Sequence, residues 1–241
     1  MSSDASSTRD KLLDTATRLY AERGIENVSL AEIVREAGQR NMSAIHYHFG
    51  GRDDLLRAIL ELYVPVIRAR RLELLAVAEA TPAGDVRSVA EAIVRPVTEL
   101  AQRGWRERAY LQIGSELLHR LDRAPRSIRA LLRQTAGYET MALLAQRMPP
   151  LPPDIWAERS ELLYPFIGRA AADRARLLDR RGRGARKVLA DDRFVNNLVD
   201  MVVGAVSAPV TDAPVRPAPT HQSARRAARA TPGSGVAGRR R

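Results

Sequence analysis

Apolar residues recur three and four apart through most of this 241-residue chain, and no convincing run alternates apolar with polar. Residues at that spacing share one face of a helix, so the pattern predicts an all-α fold. Thr8 can cap a first helix running to about Arg23, with Asp10 in its first turn and Leu12, Leu13, Ala16, Leu19 and Tyr20 on one face. Gly24 is a natural stop. Ser29 and Glu32 have the S-x-x-E spacing of a capping box and open a second helix, with Leu30, Ile33, Val34 and Ala37 as its stripe and Gly38 as its end. A polar turn, Gln39-Arg40-Asn41-Met42, leads to a short segment from Ser43 to Phe49, which Gly50-Gly51 breaks. Asp53 and Asp54 then open a fourth helix, where acidic residues complement the helix dipole. Helices are predicted over 53–80, 85–103, 106–121, 126–147, 153–182 and 192–207, with a kink or break at Pro65. Pro82, Gly84, Pro125 and the proline-rich run 149–153 mark connections.

Three short helices with a tight polar turn before the third make a helix-turn-helix pattern, in which the second braces the third and the third enters a major groove. Such a third helix must be apolar behind and polar in front. Ile45 and Phe49, four apart, can face the core, leaving Asn41, Ser43, Ala44, His46 and Tyr47 to face out. His46 and His48 lie two apart, off a common helix face, so no metal pair is expected there.

Composition narrows the classes. Hydrophobic residues are 45 % and charged residues 28 %, enough apolar material for a core. Cysteine is absent, which removes disulfides, thiolate metal sites and a cysteine nucleophile. The polar start from Met1 to Arg9 carries no apolar signal core, and no stretch of about 18 apolar residues follows. A soluble, cytoplasmic protein with no membrane contact is the expectation. The net charge of +11 is uneven: residues 1–52 balance at zero, while residues 209–241 carry seven basic residues and one acidic. Overall basicity therefore says little about a DNA-binding head. The P-loop, H-E-x-x-H and G-x-S-x-G patterns are absent, no carboxylate pair stands out, and neither enzyme nor cofactor is expected.

The stretch from Ser29 to Leu56 resembles the TetR family of bacterial regulators. The resemblance rests on Ala37-Gly38, Tyr47-His48-Phe49, Gly50-Gly51, Arg52, Asp53 and Leu55-Leu56, and covers roughly residues 9–60. Three features depart from the common pattern. The turn is one residue longer, as in a subgroup carrying G-Q-R-N-x-S-A; Ala44 stands where a phosphate-binding Thr is frequent; and Arg52 replaces a Lys. The resemblance implies backbone contacts from Ser29, Tyr47, His48 and Arg52. It places Gln39, Arg40, Asn41, Ser43 and His46 near base edges or adjoining phosphates, with Ala44 offering a methyl to thymine. Arg suits guanine and Asn or Gln suits adenine. Tyr47 could otherwise pack, and His48 could cap or fill the core.

By the same resemblance the remainder is a regulatory and dimerisation domain. Trp105, Tyr110, His119, Tyr138 and Met141 either line a pocket for an unknown small-molecule effector or fill the core. Leu162, Leu163, Phe166 and Ile167 form one apolar stripe and Phe194, Leu198, Met201, Val202 and Ala205 another; the resemblance implies a four-helix interface with a second copy. The arginine-dense stretch 174–187, with Gly182 and Gly184, reads as a mobile basic loop. The expected organisation is a disordered start (1–8), a DNA-binding domain (9–52), a helical domain (53–207) and a disordered basic tail (208–241). The implied function is a homodimeric regulator binding palindromic double-stranded operator DNA, a repressor released by its effector. The alternatives are a nonspecific basic DNA binder, driven by the tail and the arginine loop, and an enzyme with a helical active-site domain.

Overall fold

The computed structural model describes residues 2–180 and 189–211, and the side chains from residue 7 onward. The arginine loop beyond residue 180 and the tail beyond residue 211 lie outside the described residues. Eleven helices and no strand occur among the described residues. They are α1 (Ser2–Arg23), α2 (Leu30–Glu36), α3 (Ser43–Phe49), α4 (Arg52–Glu61), α5 (Val64–Glu79), α6 (Val86–Leu100), α7 (Trp105–His119), α8 (Arg126–Arg133), α9 (Gly137–Arg147), α10 (Pro153–Asp179) and α11 (Asp191–Ser207).

Three features correct the reading of the sequence, and at a fourth place, Pro65, the expected kink or break is a break. Helix α1 starts at Ser2, where a disordered stretch was expected, because no Gly or Pro between Ser2 and Thr8 stops it. The predicted helix over 53–80 is two, α4 and α5. Pro65 has no N–H for the Glu61 carbonyl, and the break falls at Leu62-Tyr63 with Pro65 in the first turn of α5. The predicted helix over 126–147 is also two: Ala136 takes a left-handed conformation (φ 59°), and Arg68 and Arg71 of α5 hold the turn through the Gln134 and Thr135 carbonyls at 3.0 and 2.7 Å. The arginine stretch begins inside α10. Arg174 there is buried and paired with Asp191, so it is no part of a mobile loop.

Residues through Ala208 form one compact unit with two cores. The first runs from the stripe of α1 (Leu12, Ala16, Leu19, Tyr20) through Ile33, Ile45, Leu55 and Ile59 to Tyr110, Ile113 and Leu117 of α7. The second joins Val89, Ile93 and Val94 of α6 to Leu163 and Ile167 of α10 and Leu198 and Val202 of α11. Helix α7 packs on α1 and on α10 and so belongs to both halves of the molecule.

Tyr20 is buried in the first core, and its hydroxyl has no hydrogen-bond partner among the described residues. Burial pushes its phenol above the ordinary range. A buried unpaired hydroxyl costs roughly 1–3 kcal/mol, so Tyr20→Phe should leave stability unchanged or raise it by about 1 kcal/mol in thermal or urea unfolding. A clear loss of stability would show that the hydroxyl has a partner.

Candidate nucleic-acid interface

The turn between α2 and α3 is built by backbone chemistry. Ser29 Oγ accepts from the Glu32 N–H at 3.1 Å and caps α2. At the other end Gly38 (φ 70°) lets the Gln39 N–H reach Val34 O at 2.9 Å and the Gly38 N–H reach Arg35 O at 3.1 Å, a Schellman closure. Glu32 pairs with Arg23 of α1, so it does not close the capping box reciprocally. Asn41 Oδ1 accepts from the Ser43 N–H at 2.9 Å and starts α3. Gly50 (φ 84°) ends it; a side chain there would press on Asp54 at 2.9 Å.

Helix α3 has seven residues, too few to persist alone. Ile45 and Phe49 are buried behind it, with Arg9 of α1 over the Phe49 ring. Arg40, Asn41, Ser43, His46 and Tyr47 are exposed in front, with Tyr47 82 % exposed. Gln39, Ala44 and His48 are half-buried, and Ala44 packs on the core instead of facing fully out. His46 Nδ1 bonds the Gly50 carbonyl at 2.8 Å, and the His48 ring meets Tyr47 edge-on at 5.0 Å. Ser29 is exposed at the start of α2, beside this face.

Arg52 has a structural task that its position in the motif did not disclose. Nη1 donates to Ile25 O at 2.7 Å and Nη2 to Val28 O at 2.5 Å, tying α4 to the α1–α2 connection. The Ile25 N–H donates in turn to Glu116 Oε2 of α7 at 3.1 Å. Near the other end of α7, Arg106 grips Asp14 of α1 with two bonds of 2.5 and 2.6 Å. The sequence reading missed Glu116 and Arg106 because nothing local marks them.

A cavity of about 80 Å³ lies among α5, α6, α7, α8 and α10. Of the five residues expected to line a pocket, only Tyr110 does so. Trp105 lies on a surface groove with Arg18, Glu22 and Arg176, His119 and Tyr138 are exposed, and Met141 packs against the second core. The interface stripes divide similarly. Leu163, Ile167, Leu198 and Val202 fill the chain's own second core and are unavailable to a partner, and Phe194 is half-buried. Leu162, Phe166, Met201 and Ala205 are exposed. Among the described residues no helix is long and apolar enough to cross a membrane, and no cluster of three or more His, Asp or Glu could hold a metal.

Residues 12–59 match the family model for bacterial regulatory proteins of the tetR family. The match covers the N-terminal helix-turn-helix segment, about a fifth of the chain. The HTH-type transcriptional regulator AcrR of Shigella flexneri is 34 % identical over 110 residues, 46 % of this chain and 49 % of that protein. The regulator SrpR of Pseudomonas putida is 32 % identical over 57 residues, 24 % of this chain and 26 % of SrpR. The chain thus spans half or less of the curated relatives it matches, and those relatives are HTH-type transcriptional regulators. The likeness of fold extends further. A TetR-family regulator from Bordetella parapertussis 12822 superposes with a TM-score of 0.56 at 15 % identity, covering 84 % of this chain and 97 % of that one. The TetR-family regulator PfmR from Thermus thermophilus gives 0.51 at 18 % identity, covering 79 % and 96 %. The shared fold is an N-terminal helix-turn-helix followed by a larger helical part.

Charged hydrogen bonds contribute roughly 1.5–3 kcal/mol each, so Arg52→Met should speed amide exchange at residues 25–28 about tenfold or more. Exchange in α10 and α11 should not change. Unaltered exchange at residues 25–28 would remove the clamp from the account.

Proposed function

We propose that this protein is a homodimeric, sequence-specific operator-binding regulator, a repressor whose DNA affinity falls when a small molecule enters the helical cavity. The observation that carries the reading is α3, a two-turn helix with an apolar back locked to the core and a polar, exposed front. In this role Tyr47, His48 and Ser29 contact phosphates. Arg40, Ser43 and Gln39 lie near base edges or phosphates, and Ala44 lies beside them. Asn41 keeps its amide nitrogen for DNA while its oxygen caps the helix. His46 presents the ring edge left free by Gly50. Arg52 acts chiefly by holding residues 25–28, not by reaching phosphate.

The exposed row Leu162 and Phe166 on α10, beside Met201 and Ala205 on α11, is the surface for a second copy. Two-fold pairing would set two α3 helices into successive major grooves about 34–36 Å apart, or a multiple of that, on a near-palindromic site. Helix α7 is the connecting rod. Tyr110, Leu111, Gly114, Ser115 and Leu118 line the cavity, and Glu116 holds Ile25 next to α2. A ligand that shifts α7 shifts the platform under α3, with a coupling of about 1–3 kcal/mol.

Binding to the promoter fragment upstream of the gene, against random DNA, tests the reading. The fragment should bind on the order of 10³-fold more tightly. Tyr47→Ala should weaken it, and deletion of residues 209–241 should leave the preference intact. Equal binding to both DNAs, abolished by the deletion, would favour a nonspecific basic DNA binder instead.

Leu162→Glu combined with Met201→Glu should convert the dimer to monomer in sedimentation and weaken operator binding, because a stable interface of about 1,200–2,000 Å² does not tolerate buried unpaired carboxylates. An unchanged dimer would place the interface elsewhere.

A further inference from the structure

The cavity contains a charge that the fold does not neutralise. Arg71 lies on α5 four residues after Ile67 and four before Leu75, both buried, so it occupies a core position on an apolar stripe. It is only 3 % exposed. Its Nε donates at 3.4 Å to the Ala92 carbonyl, which loses its usual helical donor because Pro96 has no N–H. Its Nη1 donates to Thr135 O at 2.7 Å. Both partners are neutral. Nη2 makes no hydrogen bond, and no carboxylate lies within 4.0 Å, among the described residues.

The other buried guanidiniums differ. Arg174 is paired with Asp191. Arg147 lends both terminal nitrogens to a ring of acceptors that includes the carbonyls of Ala78, Thr81, Pro82 and Asp85. Arg71 is the buried guanidinium that faces a cavity and keeps a spare nitrogen. The Tyr164 ring lies 5.6 Å from the Arg71 guanidinium and meets one face of it, but a buried cation is fully compensated only when its donors are also satisfied or an anion is near.

The walls define what that anion can be. Ile67, Ile93, Val97, Leu111, Leu118 and Ile167 supply an apolar lining. Tyr110 and Ser115 also line it, and neither hydroxyl makes a hydrogen bond among the described residues. Tyr110 is held protonated by burial, so it is available as a donor. No Asp, Glu, Lys or His lines the space. One fixed cation with neutral donors and apolar walls matches one negative charge; a phosphate dianion would leave a second charge uncompensated. A carboxylate matches the planar edge of a guanidinium. The volume of about 80 Å³ is below the roughly 150 Å³ of an apolar cavity that takes benzene, so the body must be short.

We infer that the cavity binds a compact apolar monocarboxylate, with Arg71 as its anion-binding group and Tyr110 and Ser115 as further donors. The inference deepens the effector reading above and rests on it.

Calorimetric titration of the full chain with acetate, propionate and butyrate, each beside its neutral amide, tests this without DNA. At least one acid should bind, at least about tenfold more tightly than its amide, since charged hydrogen bonds are the strong ones. Arg71→Met should abolish that preference. Gly114→Leu should block acid and amide alike, because Gly114 lines the cavity and a Cβ there meets nothing within 4 Å. Acid and amide binding equally, an acid preference that survives Arg71→Met in a folded variant, or no acid binding at all would each overturn the inference. The acid–amide comparison on the unaltered protein decides the matter even if Arg71→Met fails to fold. Operator binding is then measured with the bound acid present. Acid binding without operator release would contradict effector release and leave the carboxylate site standing. Operator release by the amide alone would do the reverse.

Discussion

The backbone of Ile25 is held from two directions, and the placement of α2 and α3 depends on that grip. Its carbonyl accepts from Arg52 of α4 and its N–H donates to Glu116 of α7. Helices α2 and α3 have seven residues each and gain little from their own hydrogen bonds. Their positions come from what lies behind them: Ile33, Val34, Ile45 and Phe49 set into the first core, and the connection at residues 24–28 pinned between α4 and α7. The exposed front of α3 is then free to be polar: Asn41 and His46 there make local bonds to the backbone, and the core packing comes from behind.

This arrangement explains why the two halves of the molecule are not independent. Helix α7 presents Tyr110 and Ser115 to the cavity and, one residue further on, Glu116 to the α1–α2 connection. Arg106 on the same helix holds α1 through Asp14. In the proposed response, a rotation of α7 would reach the foot of α2 through Glu116.

Much of the architecture was legible because its causes are local. Ser29, Gly38, Gly50 and Pro65 act through capping, left-handed turns and a missing N–H, and each lies where the sequence placed a boundary. The break at Ala136 was not legible. The apolar periodicity continues across it, and the carbonyls it exposes are held by arginines more than sixty residues away. Position and not side-chain type decides lining: Tyr110 lines the cavity, Trp105 a surface groove, and His119, Tyr138 and Met141 neither. The stripes on α10 and α11 are wider than one contact face; half of each turns into the second core and the rest outward. Arg71 did carry a signal, a charged residue at a core position of an apolar stripe.

The most direct test of the account is a hydroxyl-radical footprint of the full chain on DNA fragments selected from the genome for tight binding. The account predicts two protected patches on one face of the duplex, separated by about 34–36 Å or a whole multiple of it, over a near-palindromic sequence. Even protection along every fragment, with no shared sequence and no face preference, would contradict it.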